Sequence, residues 1–435
     1  MNQKTNHIFR ALKYPNYRLY FMGQGVSLVG SWMQAMAMSW LVYRLTHSVF
    51  LLGVIAFSSQ IPAFFLAPVS GILADRHDKR RLMMTIQTLF MVQAAILTAL
   101  VLCRIVAVWH LIGLGVFMGL VNALDMPVRQ SFVAELVPDP EDLGNAIALN
   151  SMMFNSARLI GPSVAGILIS GIGEGFCFLL NTASYLAVLF ALALMKLGPH
   201  RALAERTRLK EEMGTGIRYV FGFHPIRNII LLISLVSLMG MSFHVLMPVF
   251  AKEILSGGPH TLGFLMGALG VGAIGGAFYL ASRKTVWGLE KNIPAAAFLF
   301  GSGLIGVSLS RNLAVSLLLM VITGFGMMVF MISSNTLLQN ISDDDKRGKV
   351  MSFYTMAFMG MTPIGSLLSG TLASSIGTPV TVAAGGSACM IGAFVFNRKL
   401  DELRRKIHPI FIKKGILPEV VMGMESAAGM TAPPE

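Results

Sequence analysis

The sequence predicts an all-α membrane protein: twelve transmembrane helices in two six-helix bundles related by pseudo-twofold symmetry. Three observations predict it. Of 435 residues, 54% are hydrophobic and 13% charged, against roughly 25% charged in soluble domains, and the mean hydropathy is +0.68. Water could not hydrate such a surface, and disorder is excluded because disordered chains are poor in apolar residues. Apolar stretches of about 20 residues, the length that crosses a bilayer, recur between short polar breaks. The basic residues, finally, sort to one side of that threading.

The elements follow in order. Residues 1–18 hold Lys4, Arg10, Lys13 and Arg18 around Pro15 and Asn16. The first apolar stretch then runs on without a small-residue cleavage site, so it is expected to stay as the first helix. Spans are expected near 19–43, 49–74, 82–102, 106–128, 144–170, 176–196, 228–250, 261–281, 292–309, 313–338, 349–373 and 378–397. They must be helices, because backbone groups in lipid have to bond within the segment and these stretches do not alternate as barrel strands do.

With the N-terminus in the cytoplasm, 28 of the 34 Lys and Arg fall on the cytoplasmic side. Only Arg44, Arg104, Lys252 and Arg311 fall outside, while Arg129 and Arg158 lie in or near the bilayer. That is the positive-inside pattern, and one extra or missing span would invert its second half. The net charge of +13 therefore reads as cytoplasmic loops beside anionic lipid, not as nucleic-acid binding. The expected location is a bacterial-type inner (plasma) membrane, multi-pass, with both termini cytoplasmic. Cys103, Cys177 and Cys389 fit no zinc, redox or disulfide pattern and read as small apolar residues. No metal and no cofactor are expected.

The chain divides into an N-terminal segment (1–18), a six-helix bundle (19–197), a linker (198–227), a second bundle (228–398) and a cytoplasmic tail (399–435). In the linker, Leu209, Met213, Ile217 and Val220 recur at helical spacing among Lys210, Glu211, Glu212 and Arg218. This predicts a helix lying on the membrane surface. The tail beyond Arg405 is expected to be disordered. The halves also repeat at an offset of 204 residues: Gly161 falls on Gly365, Gly166 on Gly370, Gly144 on Gly348. The acidic turn Asp139, Glu141, Asp142 falls on Asp343, Asp344, Asp345. Loop and helix features sharing one offset point to a duplicated unit, and paired repeats with a pathway between them are a transporter architecture.

Between spans two and three stand Gly71, Leu73, Asp75, Arg76, Asp78, Lys79, Arg80 and Arg81. A positive-inside turn alone would not require Gly71, which permits close helix approach, or Asp75, which suits the positive end of a helix such as span eleven. This loop resembles the signature loop of the major facilitator superfamily. The resemblance implies a cytoplasmic gate formed by Gly71, Asp75, Arg76, Asp78, Arg80 and Arg81 that favours the outward-open state. The equivalent stretch of the second half, Gly276 through Arg283 and Lys284, lacks the Asp, so the gate is expected to be one-sided.

Span five carries Arg158, Gly161, Pro162 and Gly166, and span eleven Pro363, Gly365 and Gly370. The span-five set resembles the Gly-Pro motif of the superfamily's exporters and antiporters, with Ala157 and Ala165 where the family has further glycines; a packing kink is the alternative. The run Asn122, Asp125, Pro127, Arg129, Gln130, Ser131, Phe132, Glu135, then Asn145, Asn150, Asn155 and Arg158, resembles the enterobactin-exporter branch. So do Gly216, Tyr219 and His224-Pro225 in the linker.

Of 21 carboxylates, only Asp125 and Glu135 are expected at membrane depth. Asp125 and Arg129 are four apart on one helical face and can pair. Arg158 stands near the middle of its span, where an unpaired charge is costly and marks function by default. One charged cluster of Asp125, Arg129 and Arg158 is expected; a structural lock between spans four and five is the alternative for the first two. His244 could titrate near neutral pH, although a single His is more often a packing residue. Trp32, Gln34, Trp40, Gln60, Asn155 and Arg158 form the candidate substrate-binding set, Trp40 being equally suited to anchor at the interface. Gly263, Gly267, Gly272 and Gly276 read as helix-packing positions.

The expected function is secondary active transport across the inner (plasma) membrane, exporting a small amphipathic or aromatic molecule, siderophore-like or a drug, by alternating access with H+ as coupling ion. No Gly-x-x-x-x-Gly-Lys-Ser/Thr segment is present to bind a nucleotide. The expected partners are a small-molecule substrate and membrane lipids, the protein being a monomer. A lysolipid or other metabolite carrier, or a non-transporting receptor, are the alternatives. An enzyme would need more His, Asp and Glu at one depth than the sequence supplies.

Overall fold

The computed structural model describes residues 9–196, 218–283 and 285–414, with side chains described for all of these except 67–76. After a short 3-10 turn at Arg10–Lys13, the described residues form α1 (Pro15–Thr46), α2 (Val49–Arg76), α3 (Lys79–Leu102), α4 (Val108–Leu136), α5 (Pro140–Ile172) and α6 (Glu174–Leu194). The second half holds α7 (His224–Ile254), α8 (Pro259–Ala281), α9 (Leu289–Leu309), α10 (Leu313–Ile341), α11 (Arg347–Ile376) and α12 (Thr378–Arg398), followed by α13 (Leu400–Lys413). No strand occurs among the described residues.

The starts are set by short polar side chains that take the free N–H groups of a first turn. Ser48 accepts from Leu51 N, Asp78 from Arg81 N, Asp139 from Glu141 N, and Asn312 from both Ala314 N and Val315 N. Gly173 ends α5 at φ 90° and Gly377 ends α11 at φ 87°, a backbone region in which a Cβ is strained. These two stops lie 204 residues apart, the offset of the sequence repeat.

Eleven of the twelve long helices are apolar enough to cross a membrane. The remaining one, α1, has the length, at 32 residues, but carries a stripe of Tyr17, Tyr20, Gln24, Ser27, Ser31 and Gln34 at three- and four-residue spacing. Five of these six are buried and Ser31 is half-buried, facing other helices rather than lipid. The polarity of α1 is therefore absorbed inside its own bundle.

Packing repeats between the halves. In the first, α1 packs on α5 and α6, α2 on α4, and α3 on α4 and α6; in the second, α7 packs on α11 and α12, α8 on α10, and α9 on α10 and α12. The halves meet through α5 against α8 and through α2 against α11, one contact being the symmetry mate of the other. Glycine makes both crossings. A Cβ at Gly166 would lie 2.8 Å from Pro259 O and 3.0 Å from Gly263 Cα; one at Gly370 would lie 3.0 Å from Gly53 Cα and from Val49 O. Close approach of this kind is what drives helix association in lipid, where apolar burial contributes nothing. Both crossings sit near the helix ends on the face opposite the chain termini. Tyr43 donates to Glu253 and Ser170 contacts His260 at 3.4 Å on that same face.

Two expectations need adjustment. The tail beyond Arg405 is helical as far as Lys413: α13 buries Leu403, Ile407 and Phe411, at spacing four, which marks an amphipathic helix rather than disorder. Arg404 pairs with the buried Glu290 at 3.1 Å, and Trp287 lies 4.7 Å from the His408 ring. Of the expected linker helix, Leu209, Met213 and Ile217 lie outside the described residues, while Val220 is fully buried.

Candidate transport site

Four helices, two from each half, converge on Arg158. It stands near the middle of the 33-residue α5. Its guanidinium lies 5.7 Å from the centroid of the Trp32 ring on α1 and 3.6 Å from Met327 Sδ on α10. His244, on α7, is close enough for the Arg158 charge to act on it. Trp32 in turn meets Phe154, one turn before Arg158, edge to face at 5.7 Å. Arg158 has no carboxylate partner among the described residues, whereas its guanidinium has an aromatic face, a favourable seat for a cation.

The backbone explains the placement. A Cβ at Gly161 would lie 2.6 Å from Trp32 Cβ, so that glycine lets α5 rest on α1 and sets Trp32 beside Arg158. Gly365 does the same on α11, lying against the Leu238 carbonyl of α7. Pro162 has no N–H to give to the Arg158 carbonyl, and Pro248 none for the His244 carbonyl; each site residue stands four before a proline inside a helix. In α7 the π-turns Val236–Gly240 and Phe250–Ile254 flank His244, and α11 has its own at Met356–Gly360, just before Pro363. Such turns frequently mark functional positions in helices.

The other candidate residues distribute as follows. Asn155 and Gln60 are half-buried and each bonds a carbonyl of its own helix, at Ser151 and Ala56. Gln34 turns away from the convergence: its Nε2 donates to Gln93 Oε1 at 2.8 Å, and its Oε1 accepts from Asn181 at 2.8 Å, inside the first bundle. Trp40 is 6% exposed, in the core. Asp125 and Arg129 form the expected i,i+4 pair, but the expected three-membered cluster divides. The pair lies within the first bundle beside Tyr20, Gln87 and Tyr185, and Arg158 belongs to the space between the halves. The reason is helical phase: Arg158 faces α1 and α10, while Asp125 faces α3.

In the signature loop, Asp78 caps α3, and Lys79 pairs with Glu135 at 2.5 Å in the last turn of α4. Arg80 donates to the Leu192 and Ala193 carbonyls at 2.7 and 2.8 Å, closing the end of α6. Arg81 enters through its backbone N–H, held by Asp78. Gly71, Asp75 and Arg76 lie on α2, and their side chains are outside the described ones; so is Lys284 in the second half.

Sequence reasoning passed over one group. Asp142, buried at the start of α5, holds Arg10 at 2.8 Å, Lys13 at 2.5 Å and Tyr14 at 3.0 Å, fastening the N-terminal segment under the bundle. The carboxylate raises the Lys13 pKa through this hydrogen bond. In the second half, Tyr219 donates to Asp343 at 3.1 Å. The shared acidic turns were the available signal. Glu174 and Glu290 are buried at helix ends as well, paired with Arg44 and Arg404. Among the described residues, no group of three His, Cys, Asp or Glu side chains is placed to hold a metal ion.

A family model described as transmembrane secretion effector matches residues 8–409. The chain belongs to this family of major facilitator superfamily transporters. It is 26% identical over 394 residues to the staphyloferrin A transporter of Staphylococcus aureus, covering 88% of this chain and 96% of that one. It is 24% identical over 397 residues to the enterobactin exporter of Shigella boydii, covering 90% and 93%. The crystal structure of a bacterial homologue of the iron transporter ferroportin superposes with a TM-score of 0.71 at 18% identity, covering 88% of this chain and 98% of that one. The major facilitator superfamily transporter so identified is a multi-pass membrane protein that carries a small molecule; members of the superfamily are not enzymes.

Proposed function

We propose that this transporter exports a small, amphipathic organic anion with aromatic or otherwise flat character, siderophore-like, from the cytoplasm across a bacterial inner membrane. The observation that carries this reading is Arg158: a cation near mid-membrane, set on Trp32 and Met327, with no carboxylate partner among the described residues. A charge there costs about 2.5–3.5 kcal/mol on insertion scales, and a ligand carboxylate or catecholate would offset it through paired hydrogen bonds. Trp32 and Phe154 supply the flat apolar wall.

In this reading the terminus-bearing face is cytoplasmic, which the positive-inside pattern supports, and the two glycine crossings belong to the outer face. The chain works as a monomer by rocking of its halves, with H+ moving in exchange. The siderophore-related names of the two relatives support an exported chelator over a lysolipid.

The test is a transport panel in proteoliposomes, comparing catecholate and carboxylate chelators with cationic drugs. The reading requires transport of at least one anion, reduced at least tenfold in Arg158→Ala and largely kept in Arg158→Lys. Transport confined to cations, or unchanged in Arg158→Ala, contradicts it.

A further inference from the structure

The 204-residue repeat breaks at one place on the terminus-bearing face. In the first half Lys79, at the start of α3, pairs with Glu135 near the end of α4. Advancing both by 204 residues gives Arg283 and Gln339: a cation is kept and the acid becomes an amide. Arg283 has no carboxylate partner among the described residues. It donates to the Trp287 carbonyl at 2.7 Å and contacts Tyr279 Oη at 3.4 Å, which engages two of the five N–H donors of a guanidinium. The connections differ as well. α2 ends at Arg76 and α3 begins at Lys79, whereas α8 ends at Ala281 and α9 begins at Leu289, so the second pair of helix ends can stand apart.

At those ends lies a cavity of about 370 Å³, lined by Ala277 and Leu280 of α8, Leu289 of α9, Ile332 and Thr336 of α10, and Arg283. Ligand sites run to roughly 300–1,000 Å³, against about 30 Å³ for one water, so the space suits a ligand and its wall is mostly apolar. The helical face of α10 tells where it opens. Val315 and Leu318 are exposed at 49% and 63%, on a surface that meets lipid in a membrane. Positions 322, 325, 329, 332 and 336 continue that face at three- and four-residue spacing. Partway along, α8 covers it: a Cβ at Gly276 would lie 2.9 Å from the Phe325 carbonyl oxygen and 3.2 Å from Val329 Cγ2. Past this crossing Ile332 and Thr336 are half-buried again, and the wedge between the helices opens toward lipid.

We propose that this wedge binds one anionic phospholipid of the adjoining leaflet, its phosphate on the free donors of Arg283 and an acyl chain along Leu280, Leu289 and Ile332. Apolar walls suit the chain, and a guanidinium fork matches phosphate oxygens. Basic pockets between spanning helices on the cytoplasmic side are the usual seats of anionic headgroups. The lipid supplies to the second half the negative charge that Glu135 supplies to the first, and it ties the ends of α8, α9 and α10 together. A zwitterionic lipid brings its own cation beside Arg283 and is a poorer fit. The naming of this leaflet as cytoplasmic rests on the orientation proposed above; the site itself does not.

Purified full-length protein in detergent, titrated with phosphatidylglycerol and followed by native mass spectrometry and thermal denaturation, reads the site without any transported substrate. The proposal requires saturable binding of phosphatidylglycerol in preference to phosphatidylcholine, with a raised melting temperature. Arg283→Ala should weaken binding about tenfold, the worth of one hydrogen bond to a charged group. Ala277→Leu, which fills the wedge and leaves the charge, should weaken it too, while Arg405→Ala, at an exposed position of α13, should leave it unchanged. Phosphatidylglycerol with a diazirine on its acyl chain should label residues 277–289 and 332–336 of the unaltered protein, an arm that no folding defect can blur. The proposal is overturned if phosphatidylcholine binds as well or if inorganic phosphate alone gives the same stabilisation. It is equally overturned if Arg405→Ala weakens binding as much as Arg283→Ala, or if the label spreads evenly around both bundles. Failure of the anion transport panel would leave this site standing.

Discussion

Gly53 on α2 and Gly370 on α11 lie against each other so closely that a Cβ on Gly53 would stand 2.7 Å from the Ser366 carbonyl oxygen and 3.1 Å from Gly370 Cα. No side chain fits there without parting the helices. The mate of this crossing, Gly166 on Gly263, makes the same demand on α5 and α8. The two together hold the halves at the face opposite the termini.

Gly53→Val is expected to disfavour this arrangement by about 1–3 kcal/mol, the range for overpacking a close contact. Because the substitution strains one arrangement of the halves and not the bundles themselves, detergent-solubilised protein should still elute as a single species while transport slows by tenfold or more. Transport rate and size-exclusion profile check this together; normal transport would show that the crossing is dispensable.

Gln34→Leu leaves Gln93 and Asn181 without their shared partner in the first bundle. Each buried amide so stranded costs about 1–3 kcal/mol, so the melting temperature should drop, with substrate affinity unchanged once the protein is folded. Binding affinity lost in step with stability would return Gln34 to the substrate site.

Arg404→Ala strips the ion partner from Glu290, whose side chain is 2% exposed. Leaving a buried charge alone costs about 3–5 kcal/mol. The second change Glu290→Gln should recover much of that loss, since it removes the stranded charge. Thermal denaturation of the two single variants and the double variant measures the coupling; simple additivity would mean that α13 is held by Leu403, Ile407 and Phe411 alone.

The legible part of this molecule is what lipid imposes. Apolar length gave the spans, and Gly161, Gly166, Gly365 and Gly370 gave the repeat, because close helix approach can be met in few ways. What stayed hidden depends on helical phase across different elements. Nothing local says that Gln34 faces Gln93 while Trp32, two residues earlier, faces Arg158. The pairing of Asp125 with Arg129 followed from spacing four, but their separation from Arg158 depends on how α4 and α5 are rotated against α1. Asp142 stands in an acidic turn of the sequence, and its hold on Arg10, Lys13 and Tyr14 spans more than 120 residues of chain. The helix of α13 was readable from Leu403, Ile407 and Phe411, and was obscured by the basic residues between them.

Alternating access requires that the face closed by the two glycine crossings open in every cycle. Ser170 and His260 touch at 3.4 Å on that face, one from each half. In a Cys103→Ser background, Ser170→Cys with His260→Cys provides a bond that can be made and broken at will. Oxidation is predicted to stop transport in proteoliposomes, reduction to restore it, and substrate binding from the terminus-bearing face to persist in the linked protein. Transport at the full rate with the two halves covalently joined there would contradict the account.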